Sequence, residues 1–192
     1  MRLLFVGFGT VAEGLSELLI EKKDELREKY GLDWEVTGIV DMLKGSAQNP
    51  NGLDLEEIMA MVADGRSISD YAAGGCGWNA LEMIERAKAD AMLELTYTDI
   101  KTGQPATDHI RTALTRGMHV TTTNKGPLAL FSNELVELAA ANGVQFLYEG
   151  TVMAGTPLLN LIRETLAGSA ISEMKGILNG TTNYILSQME AG

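Results

Sequence analysis

Gly7, Gly9 and Ala12 stand in the spacing G-x-G-x-x-A between a short apolar stretch and a long amphipathic one. That arrangement holds a dinucleotide pyrophosphate against the N-terminus of a helix. Gly7 permits the tight turn, Gly9 lets the phosphates approach the backbone, and Ala12, with Gly14 close behind, allows the helix to lie close to the strand. The contacts expected from this turn are Gly7, Phe8, Gly9, Thr10 and Val11. A second apolar stretch, 35–41, ends on Asp41, where a carboxylate accepts hydrogen bonds from an adenosine ribose. An aspartate there equally suits a solvated turn, and Lys44 nearby could accommodate a 2′-phosphate, so NAD and NADP both stay open.

Further residues able to do chemistry follow other apolar stretches. Thr96 and Tyr97, with Thr98, offer hydroxyls to a cofactor, or ordinary turn chemistry. Asn124, Lys125 and Gly126 make a strand-to-helix corner with Pro127 suited to the first helical turn. Lys125 would project over the sheet edge towards a nicotinamide, although a lysine at a helix start is commonly just solvated. His119, inside an apolar strand, reads as a packed side chain rather than a base. Glu149 precedes an irregular glycine-containing segment whose carbonyls could hold a hard cation, or which serves only as an interdomain hinge. Asn179, Gly180 and Thr181 open the last helix, as a cap or as exposed amides for a substrate carboxylate.

Such residues need strands to carry them to a common edge. Apolar runs predict strands at 2–7, 35–41, 91–96, 118–123 and 144–149, alternating with helices at 11–30, 55–63, 79–88, 106–116 and 132–142. This is the pattern of βαβ units. Val11, Leu15, Leu18, Leu19 and Leu26 lie at helical spacing as a buried face. Residues 44–54 and 73–77 read as polar or glycine-rich loops. After Gly155 the order changes to a helix near 157–167, a strand near 172–179 and a helix from 182 onwards. The expected fold is therefore α/β: a Rossmann-type doubly wound parallel sheet over 1–148, followed by the beginning of an α+β substrate and dimerisation domain over 149–192.

Composition narrows the partners. Lys and Arg number 15 against 26 Asp and Glu, a net charge of -11 that repels a polyanion and excludes nucleic acid as a natural partner. An anionic cofactor is still admitted, because helix N-termini and backbone amides supply local positive potential. No apolar run approaches the length of a membrane span, and the N-terminal apolar stretch is too short for a signal peptide. One cysteine, Cys76, and two histidines leave no internal disulfide and no zinc-type cluster. A reduced, cytoplasmic setting is expected.

Four segments together resemble the homoserine dehydrogenase family: GFGTVAEG at 7–14, HVTTTNKGPLA at 119–129, YEGTVMAGTPLLNLIRE at 148–164 and GILNGTTNYIL at 176–186. The resemblance implies NAD(P)-dependent interconversion of L-homoserine and L-aspartate 4-semialdehyde in threonine, methionine and isoleucine biosynthesis, by a homodimer. It further implies that Lys125 is the active-site lysine on the nicotinamide side and that Thr96 contacts the cofactor. Thr181, with Asn179 and Gly180, falls in the substrate pocket, and Glu149, Val152, Ala154 and Thr156 fall where a structural sodium ion binds. The family pattern continues with G-Y-x-E-x-D-P and G-x-D-x-x-x-K segments, which do not occur in these 192 residues. The sequence is thus expected to be a truncated product or fragment, inactive alone. A dinucleotide-binding module without turnover, or a related oxidoreductase acting on another small substrate, are the alternatives.

Overall fold

The computed structural model describes residues 1–97 and 99–191 and divides into two units, Met1–Tyr148 and Glu149–Gly192. In the first unit, β1 (Arg2–Val6) has Leu3, Leu4, Phe5 and Val6 all buried, as a central strand covered on both faces must. It pairs in parallel with β2 (Glu35–Asp41) on one side and β5 (Ala91–Glu94) on the other. β6 (His119–Thr122) and β7 (Phe146–Leu147) continue the sheet in parallel.

The polar segments expected to be loops add two short strands at the far edge. β3 (Gly45–Gln48) and β4 (Gly75–Cys76) are antiparallel, giving the order β4-β3-β2-β1-β5-β6-β7. The doubly wound α/β architecture is the expected one, but the sheet is mixed at this edge. The chain order reverses between β1 and β5, and the crevice beyond such a reversal is where open α/β sheets bind ligands.

Side chains alternate across β1 and so divide the core in two. Phe5 and Leu3 join Ala12 of α1 (Thr10–Glu21) and Ile58 and Met61 of α3 (Leu55–Ala63). Leu4 and Val6 join Met83 of α4 (Ala80–Arg86), Ile110 and Leu114 of α5 (Ala106–Thr115) and Leu135 of α6 (Lys125–Ala141). Each helix thus lays one face on the sheet and holds the strand ends in register.

Several expectations are corrected. The helix expected over 11–30 breaks at Lys22 into α1 and α2 (Lys23–Tyr30), and Val11 and Leu18 face solvent rather than the core. Ser16, not Gly14, lies buried one turn beyond Ala12; a Cβ on Gly14 would meet nothing within 4 Å. His119 is exposed, and its Nδ1 accepts from the Gln145 N–H at 3.0 Å. α6 starts at Lys125, earlier than expected, and leaves helical geometry at Phe131.

The second unit holds a 3-10 turn at Glu149–Thr151, then α7 (Leu158–Thr165) and α8 (Gly180–Ala191). The strand expected near 172–179 does not form; those residues are exposed and carry no ladder hydrogen bonds among the described residues. Neither helix buries a residue, because so short a unit has too little interior to cover its apolar side chains. No helix among the described residues is long and apolar enough to cross a membrane.

The start of β1 is tied to the start of β5 by Arg2, whose backbone N–H donates to Asp90 at 2.7 Å and whose guanidinium donates to it at 2.5 Å. The Arg2 side chain, then its backbone N–H, holds the Asp90 carboxyl at about 2 against an ordinary 3.8. A carboxyl lowered on folding contributes stability that is complete above its unfolded value and lost as the pH falls through the folded one. Asp90→Asn should therefore lower stability modestly at neutral pH, the pair being exposed to solvent. Urea unfolding should show the difference between the two proteins shrinking as the pH is taken from 3.8 to about 2; a constant difference would contradict it.

Candidate dinucleotide-binding site

Gly7 leaves β1 with φ of +95°, and its N–H donates to the Val40 carbonyl of β2 at 2.8 Å. A Cβ there would lie 2.6 Å from the Leu95 carbonyl oxygen, so both the left-handed turn and the contact require glycine. Phe8 turns its ring fully into the core, 6.4 Å from that of Phe5, and gives its backbone N–H to Asp41 at 2.8 Å. Gly9 then caps α1 with extended backbone, and a Cβ on it would meet no atom within 4 Å. The space above Gly9 is open, at the end of a helix whose first N–H groups attract anions.

Asp41, at the end of β2, is a structural junction. Its Oδ2 takes the Phe8 N–H, while Oδ1 takes the N–H groups of Leu43 at 2.9 Å and Lys44 at 3.0 Å. Burial pushes its pKa up, but these three donors and the nearby Lys44 outweigh burial and leave it below the ordinary value. The carboxylate thus stays ionised, and a carboxylate has about four acceptor sites, so one remains for a hydroxyl.

A second junction lies across the crevice. Glu94, fully buried at the end of β5, accepts from the Thr96 N–H at 3.2 Å, from the Thr96 hydroxyl, and from the Thr122 hydroxyl at 3.1 Å. His109 Nδ1 sits 3.8 Å from it with no hydrogen-bond partner among the described residues. A buried carboxyl group requires such hydrogen-bond partners. Here they fix Thr96 beside the crevice. Asn124 joins the same edge: its amide donates to the carbonyls of Thr96 and Tyr97 at 3.3 and 3.0 Å, and its oxygen caps α6 through the Gly126 N–H. Lys125 follows as the first residue of α6, with its side chain exposed.

One cavity of about 700 Å³ collects Gly7, Gly9, Asp41, Thr96 and Tyr97. That volume is in the range of small-molecule and cofactor sites. Phe8, Thr10, Val11, Asn124 and Lys125 do not line it, and Thr98 lies outside the described residues. Trp78, Leu81 and His109 also line it and were missed in the sequence. The readable signal was Asn79-x-x-Glu82, a capping box that begins α4 just after Trp78 and so fixes where the helix starts. His109 carries no comparable sequence signal.

In the second unit, Asn179 accepts from the Thr182 N–H at 2.9 Å and so caps α8, with Gly180 and Thr181 exposed in its first turn. Both carboxylate oxygens of Glu149 accept backbone N–H groups at the start of α7, from Leu159 at 2.9 Å and Asn160 at 2.8 Å. Val152, Ala154 and Thr156 lie in the intervening loop, where Ala154 has a positive φ. Among the described residues no group of three or more acidic, histidine or cysteine side chains could hold a metal.

Residues 7–149 match the family model described as the NAD binding domain of homoserine dehydrogenase, and residues 157–192 match the homoserine dehydrogenase model. The chain belongs to the homoserine dehydrogenase family. It is 40% identical to an NAD(+)-dependent homoserine dehydrogenase of Pseudomonas canavaninivorans over 100% of this chain and 54% of that protein. Identity is also 40% to a homoserine dehydrogenase of Methanocaldococcus jannaschii, over 99% of this chain and 56% of the relative. A hyperthermophilic archaeal homoserine dehydrogenase solved in complex with NADPH superposes with a TM-score of 0.82 at 29% identity, over 100% of this chain and 56% of that one. The chain thus spans about half the length of the curated family members it matches, and its first unit carries the family's NAD-binding domain.

Asparagine at position 41 cannot reproduce the junction. In either orientation its amide NH2 group faces a backbone N–H, that of Phe8 or those of Leu43 and Lys44. Asp41→Asn should therefore destabilise the chain by about 1–3 kcal/mol and weaken NADH and NADPH together, because the glycine turn loosens. Chemical denaturation with parallel cofactor titration checks this. Unchanged stability with a selective change in one cofactor would show that Asp41 acts on the ribose alone.

Proposed function

We propose that this chain is the dinucleotide-binding portion of an NAD(P)-dependent oxidoreductase that interconverts L-homoserine and L-aspartate 4-semialdehyde. The observation that carries the reading is the open space at Gly9. A helix N-terminus faces a cavity bordered by Asp41 and Thr96, and no protein atom occupies the place a side chain would take. In a chain of net charge -11 that is a specific local provision for an anion. Two relatives, one an NAD(+)-dependent enzyme and one solved in complex with NADPH, support a nicotinamide dinucleotide as the occupant.

When bound, the cofactor supplies the hydride acceptor or donor. Gly7 and Gly9 would seat the pyrophosphate, with Thr10 and Val11 in the first turn of α1 beside it; Asp41 would accept from the ribose, and Thr96 and Tyr97 would border the bound group. Lys125, exposed at the start of α6, would orient the substrate and carry a proton. A substrate carboxylate would be met by the first turn of α8, at Asn179, Gly180 and Thr181. Glu149 and the carbonyls of Val152, Ala154 and Thr156 would hold sodium, since each Glu149 oxygen keeps a lone pair beyond the bond it accepts.

The same reading makes the intact enzyme a homodimer, which the exposed Leu161, Ile177, Tyr184, Ile185 and Met189 suit. It also places the enzyme in the cytoplasm, in keeping with its one free cysteine.

Gly9→Val puts a side chain into open space, not into protein. The variant should keep its thermal midpoint yet bind NADH roughly tenfold or more weakly by calorimetry. Joined to a complete substrate half, it should lose homoserine-dependent NADH production to match. Unaltered affinity would overturn the assignment.

A further inference from the structure

Lys44 lies between two residues, Leu43 and Gly45, that line the cavity at the end of β2, yet it does not line the cavity itself. Its ammonium is drawn instead to the first turn of α1, where Nζ sits 2.5 Å from Glu13 Oε1. It also lies 5.8 Å from the centre of the Phe8 ring. The main chain of Lys44 is fixed on both sides: its N–H donates to Asp41 at 3.0 Å, and its carbonyl accepts from the Ile68 N–H at 2.7 Å and the Ser67 hydroxyl at 3.1 Å. Only the side chain is free to choose a partner. Both members of the pair are about two-thirds shielded from solvent, so each feels the other more strongly than an exposed pair would.

The charge consequence is specific. Asp41, Glu13 and Lys44 bring two carboxylates and one ammonium to the edge where an adenosine ribose would rest. A 2′-hydroxyl is compatible with that balance, because it can donate to Asp41. A 2′-phosphate carries about -1.5 to -2 charges at neutral pH. It would meet Asp41 with the nearby cation already neutralised by Glu13.

Resting on the proposed dinucleotide reading, we infer that the Glu13–Lys44 ion pair is the specificity-determining device of this site: Glu13 withholds Lys44 from a 2′-phosphate and so favours the cofactor without one. Glu13 makes no contact of its own with the cofactor in this account. It acts by setting where the lysine goes.

The test is the ratio of NADPH to NADH affinity, read by nicotinamide fluorescence on the whole chain at low salt. Glu13→Gln, which keeps the shape and removes the charge, should raise that ratio roughly fivefold to tenfold. Glu13→Ala, a helix-compatible second route to the same loss of charge, should do likewise. Adding Lys44→Ala to either should abolish the gain, and raising the salt should shrink it. A ratio unmoved by both Glu13 substitutions, or a gain that persists without Lys44, overturns the inference while leaving the dinucleotide reading intact. A wild-type chain that binds neither NADH nor NADPH overturns both.

Discussion

Three strand ends meet at Gly7. The backbone there takes a positive φ, its N–H closes onto the Val40 carbonyl, and the place a side chain would fill is occupied by the Leu95 carbonyl oxygen. β1, β2 and β5 can lie side by side with their C-terminal ends flush only because that residue has no Cβ. From this crossing the chain can do one thing next. Phe8 goes down into the core, its N–H goes sideways to Asp41, and Gly9 emerges at the start of α1 facing an empty crevice.

The two carboxylates that flank the crevice play matching parts. Asp41 fastens the β1–α1 turn to the β2–β3 turn, and Glu94 fastens the end of β5 to the end of β6. Each accepts hydrogen bonds from the segments it connects, and so each converts a loop into a fixed edge. Rigid edges matter to an anion site in an acidic protein. Favourable potential there comes from oriented N–H groups, whose value depends on their being held in place before the ligand arrives.

Much of this was legible in the sequence where the signal is local. The apolar run of β1, the G-x-G-x-x-A spacing, Asp41 at a strand end and the corner at Asn124, Lys125 and Gly126 each depend on residues a few positions apart. What escaped depends on distant partners. Gly45–Gln48 and Gly75–Cys76 hold no β-branched or aromatic residue and become strands only by pairing with β2 and with each other. Residues 172–179 hold the apolar pair Ile177 and Leu178 but form no strand, and no ladder partner lies beside them among the described residues. The direction of the Lys44 side chain is set by Glu13, thirty-one positions earlier. Asp41 was anticipated as a ribose acceptor, but its three bonds to backbone N–H groups could be seen only once the two turns were brought together.

The most direct test of the account is a crystal structure of this chain grown with NADH. The account predicts the pyrophosphate over Gly9 at the N-terminus of α1, with the adenosine ribose against Asp41 and the nicotinamide half running past Thr96. A dinucleotide bound elsewhere on the chain, with the crevice above Gly9 unfilled, would contradict it.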